Sequence, residues 1–191
     1  MADDAARPGR IRVEGLAALA AFVFTIPAAN WLIGHVGTVC PPGGPCLVPV
    51  WPGLMAPSGV AMAGLALVLR DLVQRRLGLG AGFGAIVAGA ALSWLLAPPG
   101  IVLASTAAFL LAELADLLVY TPLQRRRFVL AVIASSLVGL AVDSAVFLFI
   151  AFGSLAFLPG QVVGKLWMVV LAAPVLAWLR RRDERLGIAP A

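Results

Sequence analysis

The sequence predicts an all-α integral membrane protein with six transmembrane helices and both termini in the cytoplasm. Of its 191 residues, 62% are hydrophobic and only 12% are charged, and the mean hydropathy is +1.02. A soluble domain of this size does not carry such a composition. The apolar residues fall in long runs separated by short arginine clusters, so we expect a single membrane domain over residues 1–191.

Six apolar runs come close to the roughly 20 residues that a helix needs to cross the hydrocarbon core of a bilayer. The predicted spans are residues 15–36, 54–72, 80–97, 100–121, 128–152 and 159–179. The first run is not expected to be a signal peptide, because it lacks a small-residue cleavage site before the next segment. The third span is the shortest of the six.

The positions of the arginines predict the orientation of these spans. Arginines cluster in residues 7–12, 75–76, 125–127 and 180–185, which precede the first span and follow the second, fourth and sixth. The loops after the first, third and fifth spans contain no Lys or Arg. Since basic loops stay in the cytoplasm, every arginine cluster is placed on one side, and both termini lie there.

The first loop on the opposite side, residues 37–53, is rich in Pro and Gly and contains both cysteines. Cys40 and Cys46 lie six positions apart on a turn-prone segment that faces an oxidising compartment. They can close a small disulfide loop, or remain as two free thiols. A metal site would need more ligands than these cysteines and His35 supply, so none is expected.

Four ionisable residues lie inside the predicted spans: Glu113, Asp116, Asp143 and Lys165, the last being the only lysine in the chain. A charge at the centre of a membrane helix costs about 2.5 to 3.5 kcal/mol on insertion scales. Such residues mark a pathway or a binding site, and each needs a partner. Asn30 in the first span is a further polar candidate, either as a helix–helix contact or as a ligand contact.

Counting from the arginines gives the depth of the lysine. Asp143 follows Arg127 by 16 positions, and Lys165 precedes Arg180 by 15 positions. At about 1.5 Å per residue, both lie roughly 23 Å from those arginines and therefore share a depth. An ion pair between Asp143 and Lys165 is expected, either as a structural link between spans five and six or as part of a ligand site.

Glu113 and Asp116 lie one layer nearer the cytoplasm and, being three residues apart, share one face of span four. No second cation is evident at their depth. Arg70, Asp71 and Arg75, at the inner end of span two, could reach this depth. The default expectation is that the arginines snorkel and are satisfied by the headgroups and by Asp71, as structural or gating charges. The two carboxylates are therefore expected to be protonated, bridged by water, or open to a ligand.

Four motifs in order carry a family resemblance. They are Leu69-Arg-Asp-Leu-Val-Gln-Arg-Arg-Leu-Gly78, Glu113-Leu-Ala-Asp-Leu-Leu-Val-Tyr120, Ser135-Ser-Leu-Val-Gly-Leu-Ala-Val-Asp-Ser-Ala-Val-Phe147 and Gly164-Lys165. In this order and spacing they resemble the VUT family of queuosine-precursor transporters. The match covers spans two and four to six, and Asn30-Trp-Leu in span one agrees more weakly.

The resemblance implies a six-helix inner-membrane protein that imports 7-cyano-7-deazaguanine and related 7-deazaguanine bases for tRNA modification. The family motifs, carried over by position, fall on Asp71, Arg75, Asp116, Asp143-Ser144 and Lys165. The chain departs from the family at Arg70, where a small polar residue is commoner. It also departs at Leu140 and Val142, where polar residues occur in some relatives. These departures concern the choice of substrate.

A 7-deazaguanine presents a ring N–H and an amino group side by side, with a carbonyl next to them. A carboxylate can accept both N–H groups, and a cation or an amide can donate to the carbonyl. We therefore expect Glu113 or Asp116 at the donor edge of the substrate and Lys165 or Asn30 at its carbonyl.

The main alternative is a substrate-capture membrane subunit of an ATP-driven vitamin or nucleobase uptake complex, because the chain has no P-loop of its own. An intramembrane enzyme is not expected, since no nucleophile–base pair or metal-ligand set is evident. The arginines fall between apolar runs and so do not indicate nucleic-acid binding. No cofactor is expected, and a homo-oligomer remains open.

Overall fold

The computed structural model describes residues 2–42, 44–97 and 99–188. Within these residues six α-helices follow one another, and a two-stranded antiparallel hairpin lies between the first and second helices. The helices are α1 (Ala2–His35), α2 (Val60–Leu77), α3 (Leu79–Leu96), α4 (Val102–Leu123), α5 (Phe128–Phe152) and α6 (Leu158–Leu186), and the strands are β1 (Leu47–Trp51) and β2 (Leu54–Pro57).

Five of the helices are long and apolar enough to cross a membrane, namely α1 from Gly9 to His35 and α3 to α6 over their whole lengths. The protein is therefore a multi-pass membrane protein. Helix α2 falls outside this group because it carries four charged residues, Arg70, Asp71, Arg75 and Arg76. All four are buried. Crossing of the bilayer by α2, and the side on which the termini lie, stay predictions.

Helix α2 is the central element of the bundle, because it contacts each of the other five helices. Eleven of its residues are buried, including the four charged ones. A charged helix in this position is surrounded by other helices rather than by lipid, so its charged side chains can find partners inside the bundle.

The second predicted span begins too early. Residues 54–57 form strand β2, and α2 begins only at Val60. The loop predicted over residues 37–53 likewise contains strand β1. The apolar residues of this segment suggest a span by composition, but its prolines remove helical N–H donors. Gly53 in the connecting turn has φ of 77°, which suits a residue without a side chain.

The hairpin is attached at both of its sides. The Trp167 indole Nε1 donates to the Val50 carbonyl oxygen over 3.0 Å, and the Trp51 and Trp167 rings stack with their centroids 6.1 Å apart. After the second strand, the Ser58 hydroxyl donates to the Leu32 carbonyl oxygen over 2.7 Å. The hairpin therefore links the end of α1 to the first half of α6, and we call this side of the bundle the hairpin end.

Cys40 and Cys46 form a disulfide, which is the first of the two alternatives left open by the sequence. Cys46 is buried, and its backbone N–H donates to the Ile33 carbonyl oxygen over 2.8 Å. The disulfide loop is thus fastened to the last turns of α1.

An ionic network occupies the opposite side of the bundle, which we call the arginine end. Asp183 accepts hydrogen bonds from Arg75 over 3.1 Å and from Arg76 over 2.9 Å. Glu14 pairs with Arg76 over 3.1 Å and with Arg182 over 2.7 Å. Helices α1, α2 and α6 are joined there by charge.

Helices α2 and α6 approach most closely where Gly64 faces Lys165. A methyl group added at Gly64 would lie 2.6 Å from the Lys165 carbonyl oxygen, which is backbone and cannot rotate away. Gly64 therefore sets the separation of the two helices beside the buried lysine.

We expect Gly64→Ala to lower the thermal stability of the detergent-solubilised protein. Overpacking of a tight contact costs about 1 to 3 kcal/mol, and here it would push α6 away from α2. Thermal unfolding followed by size-exclusion chromatography measures the effect. Gly84→Ala is the matched control, since nothing lies within 4 Å of the added methyl group there. Equal melting temperatures for the two variants would contradict the prediction.

Candidate functional site

Buried polar side chains gather in two layers at different depths of the bundle. The lysine layer, nearer the hairpin end, consists of Lys165, Gln161, Asp143 and Ser144. The arginine layer, nearer the arginine end, consists of Arg70, Asp71, Gln74, Glu113, Asp116 and Ser135. Helix α5 contributes to both layers, through Ser135 in the arginine layer and Asp143 in the lysine layer. These two residues are eight positions apart, which is two steps of four, and they therefore share one face of the helix.

Lys165 is fully satisfied by three acceptors. Its ammonium group donates to a carboxylate oxygen of Asp143, to the Ser144 hydroxyl over 2.7 Å and to the Gln161 side-chain oxygen over 2.8 Å. An ammonium has three N–H donors, so none remains for another acceptor. Its side chain is 2% exposed, whereas that of Asp143 is 20% exposed. Lys165 and Asp143 are in contact, as their common depth predicts.

Asp143 keeps one carboxylate oxygen for other contacts. Lys165 binds Oδ2, and among the described residues no hydrogen bond reaches Oδ1. The side chain lines the cavity next to the lysine layer. An acceptor-only group with a free oxygen at a cavity wall is suited to bind N–H donors of a ligand.

The cavity lies among the helices near the hairpin end. Its volume is about 120 Å³, and the cavity is open on one side. An engineered cavity of about 150 Å³ admits benzene, so a bicyclic base would occupy the cavity together with part of the mouth. The polar lining residues are Thr25, Asn30, Ser93, Ser105, Asp143, Gln161 and Lys165, and the apolar ones include Ile26, Phe109 and Phe147.

Asn30 reaches the cavity from α1. Its amide Nδ2 donates to the Ile26 carbonyl oxygen over 2.9 Å, within the same helix. A side-chain amide has two N–H donors and one carbonyl oxygen. The bond to Ile26 holds the side chain in place and leaves a second N–H available to a ligand.

Arg70 is the centre of the arginine layer and is completely buried. Its guanidinium donates from Nε to Glu113 over 3.0 Å and from a terminal nitrogen to Asp116. The other terminal nitrogen lies 2.9 Å from Asp71 and donates to the Gln74 side-chain oxygen over 3.2 Å. Each of the three guanidinium nitrogens therefore has a partner.

The default expectation for Arg70 is wrong in part. Arg70 does not snorkel to the headgroups and is the cation at the depth of Glu113 and Asp116, but it does pair with Asp71 as expected. The physical reason is the central position of α2, because a side chain that points into the bundle has no path to the membrane surface. Arg75, in contrast, lies at the arginine end, where it binds Asp183 and covers the Phe128 ring at 4.0 Å.

The neighbours of the layer complete its hydrogen bonds. The Ser135 hydroxyl donates to Asp71 over 3.0 Å, and the Gln74 amide donates to the Thr121 hydroxyl over 3.1 Å. The Tyr120 ring lies over the Arg70 guanidinium at 5.7 Å. Spacing could have revealed two members that the sequence interpretation missed, since Gln74 and Gln161 lie four positions from a buried cation on the same helix face.

The predicted site residues thus separate into two groups. Asn30, Asp143 and Lys165 line the cavity, whereas Glu113 and Asp116 pair with Arg70 in the layer below it. Within the part of the chain that the structure describes, no group of three His, Cys, Asp or Glu side chains is placed to hold a metal ion.

Comparison with known proteins gives one match. The sequence pattern of a family described as "Putative vitamin uptake transporter" matches residues 58–179, which is more than half of the chain. The matched region runs from just before α2 into α6 and contains every member of both polar layers. It does not include Asn30 or the disulfide loop. No curated protein and no solved structure matches the chain.

We expect Arg70→Leu to destabilise the protein severely. Removal of one partner of a buried ion pair costs about 3 to 5 kcal/mol, because the remaining charge is left without compensation, and here three carboxyl groups lose their cation. The yield of monodisperse protein and its melting temperature in detergent measure the loss.

The control for this variant is Arg180→Ala. Arg180 pairs with Glu184 on the surface, with side chains 42% and 60% exposed. Exposed pairs contribute about 1 kcal/mol or less, so this variant should behave like the wild type. An Arg70→Leu protein as stable as the control would show that the arginine layer is not structurally important.

Proposed function

The chain belongs to the putative vitamin uptake transporter family, and from that premise we propose that it imports 7-deazaguanine bases, the precursors of queuosine, through the cavity beside the lysine layer. The family and the apolar helices make it a membrane transporter. The substrate, the site and the location in the inner membrane are the proposal. The import supplies a base for tRNA modification.

The observation that carries the proposal is the free carboxylate oxygen of Asp143 at the cavity wall. The ring N–H and the exocyclic amino group of a deazaguanine are adjacent donors, and a carboxylate is the side chain that accepts both. Glu113 and Asp116 are engaged by Arg70. We therefore assign the donor edge of the base to Asp143 rather than to either of them.

The remaining edges of the base have suitable partners in the same cavity. Asn30 has a free N–H for the carbonyl of the base, since its other N–H is bound to Ile26. Phe109 and Phe147 contribute aromatic surface to the lining. Aromatic side chains bury planar rings favourably in offset or edge-to-face contacts, which suits a flat bicyclic substrate.

Lys165 acts on the substrate through Asp143. All three of its donors are used within the protein. Its ammonium group binds one oxygen of the Asp143 carboxylate and so leaves the other oxygen for a ligand. We therefore expect Lys165 to be a positioning residue and Asp143 to be the binding residue.

We expect Asp143→Asn to weaken uptake of labelled 7-cyano-7-deazaguanine by roughly 10- to 100-fold. Hydrogen bonds to a charged group contribute about 1.5 to 3 kcal/mol, and an amide can accept only at its oxygen. Uptake into proteoliposomes that contain this chain alone measures the effect, with KM determined separately from the maximal rate. Glu184→Gln is the matched control, since Glu184 is an exposed carboxylate at the arginine end.

The same assay distinguishes the alternative function. Uptake by the chain alone, without an ATPase, would exclude a capture subunit of an ATP-driven complex. An excess of unlabelled vitamins should leave uptake of the deazaguanine unchanged, whereas competition would point to a vitamin substrate. Unaltered uptake by Asp143→Asn would show that the base binds elsewhere.

A further inference from the structure

The arginine layer contains more negative than positive charge. One cation, Arg70, stands against three carboxyl groups, those of Asp71, Glu113 and Asp116. The four residues are 0%, 0%, 1% and 0% exposed, respectively. With every group ionised, two negative charges would remain unpaired inside the bundle. An unpaired buried charge costs several kcal/mol, and buried groups usually become neutral instead.

Two of these carboxyl groups lie against the same guanidinium. Asp71 and Asp116 contact the two terminal nitrogens of Arg70, which belong to one planar group, so the two side chains are neighbours. Asp116 Oδ2 is fully buried and receives no hydrogen bond from a donor among the described residues, and the buried Asp71 Oδ1 has only its ionic contact of 2.9 Å with Arg70. A carboxylate can only accept, so two carboxyl groups can form a hydrogen bond only when one of them carries a proton. Adjacent carboxylates that share one proton are the usual result of such proximity.

A separate unpartnered group lies beside Arg70. Tyr120 is 0% exposed, its ring covers the Arg70 guanidinium, and its hydroxyl has no partner among the described residues. Tyr120 follows Asp116 by four positions and therefore shares its face of α4. A buried hydroxyl can both donate and accept.

The packing around Asp116 favours a proton over a metal ion. A methyl group added at Gly139 would lie 3.2 Å from Asp116 Cβ and 3.3 Å from its Oδ2. The backbone of α5 therefore lies directly against the free oxygen. A cation such as Ca²⁺ needs six to eight oxygen ligands around it, whereas a proton needs no additional space.

The titratable groups near Asp71 and Asp116 come from α2, α4, α5 and α6. Helix α3 has no titratable side chain, and from α6 the apolar Val169 and Leu176 pack with Tyr120. The other titratable groups of the same layer are Arg70 on α2 and Glu113 and Tyr120 on α4. Arg75 lies at the arginine end, and Asp143 on α5 and Lys165 on α6 lie in the lysine layer.

We propose that Asp71 and Asp116 bind one proton between them, and that this proton is the coupling ion of transport. Binding converts one carboxylate into a neutral carboxylic acid, and release returns the proton to water. The charge of the layer thereby changes by one. Ser135, Gly139 and Asp143 share one face of α5 at intervals of four residues. This face connects the proton site to the carboxylate that we assign to the substrate, roughly 6 Å per step.

The proton site is tested first without any substrate. Infrared spectra of the purified protein should contain the C=O stretching band of a protonated carboxylic acid, which shifts in D₂O. Asp116→Asn and Asp71→Asn should each remove the band, whereas Glu113→Gln and the exposed Glu184→Gln should retain it. Ser135→Ala, a milder change that removes a hydrogen bond to Asp71, should shift the band. Absence of the band, or its persistence in both aspartate variants, would overturn the proposal.

The coupling is tested in proteoliposomes and rests on the proposed function. With one proton per substrate, an interior one pH unit more alkaline should drive about tenfold accumulation of labelled 7-cyano-7-deazaguanine, since one unit is equivalent to 1.36 kcal/mol. Equal accumulation with and without the gradient would overturn coupling. Accumulation driven by a sodium gradient at constant pH would do the same. If no deazaguanine enters under any gradient, the proposed function fails, and the infrared band still decides on the proton site.

Discussion

The contact between Arg70 and its three carboxyl partners determines how the rest of the bundle is arranged. A guanidinium at this depth has no access to headgroups, so it must be enclosed by acceptors from neighbouring helices. Its partners come from α2 itself and from α4, while Ser135 of α5 supports one of them. Helix α2 must therefore lie in the middle, and the apolar helices surround it. The same requirement explains why α2 is one of the two least apolar of the six described helices. The other is α6, which ends in a charged tail.

The depth of a charged residue in the membrane could be predicted from the sequence more reliably than the direction in which its side chain points. Counting from the arginines placed Lys165 and Asp143 at one level, and the two are in contact. The same counting could not show that Arg70 points into the bundle, because an arginine near a helix end suits either a lipid headgroup or a buried partner. The decision depends on how α2 is rotated within the bundle. Rotation follows from contacts with five other helices, which no local pattern contains.

The first loop illustrates a second limit of sequence interpretation. Its apolar residues are of the kind that continue a membrane span, and the prediction accordingly began the second span at residue 54. The structure has strand β2 there, and α2 begins six residues later at Val60. Prolines in both strands prevent a helix, and antiparallel pairing of the strands satisfies the backbone hydrogen bonds of the residues next to them. In contrast, α5 has the bounds predicted for the fifth span, since an uninterrupted apolar run between an arginine cluster and a glycine leaves little freedom.

The hairpin affects how the cavity can open. Gly160 of α6 lies directly against the Met55 carbonyl, and Gly164 faces Val50 and Val60 without a side chain between them. Strand β2 and the first turn of α6 are therefore in backbone contact, β1 packs on α6 through the Val50 side chain, and the Cys40–Cys46 loop beside the hairpin is covalently closed. On the proposed function, a molecule that enters from this side would not pass by displacing a single loop. Opening would require the hairpin and the first half of α6 to move together as one body.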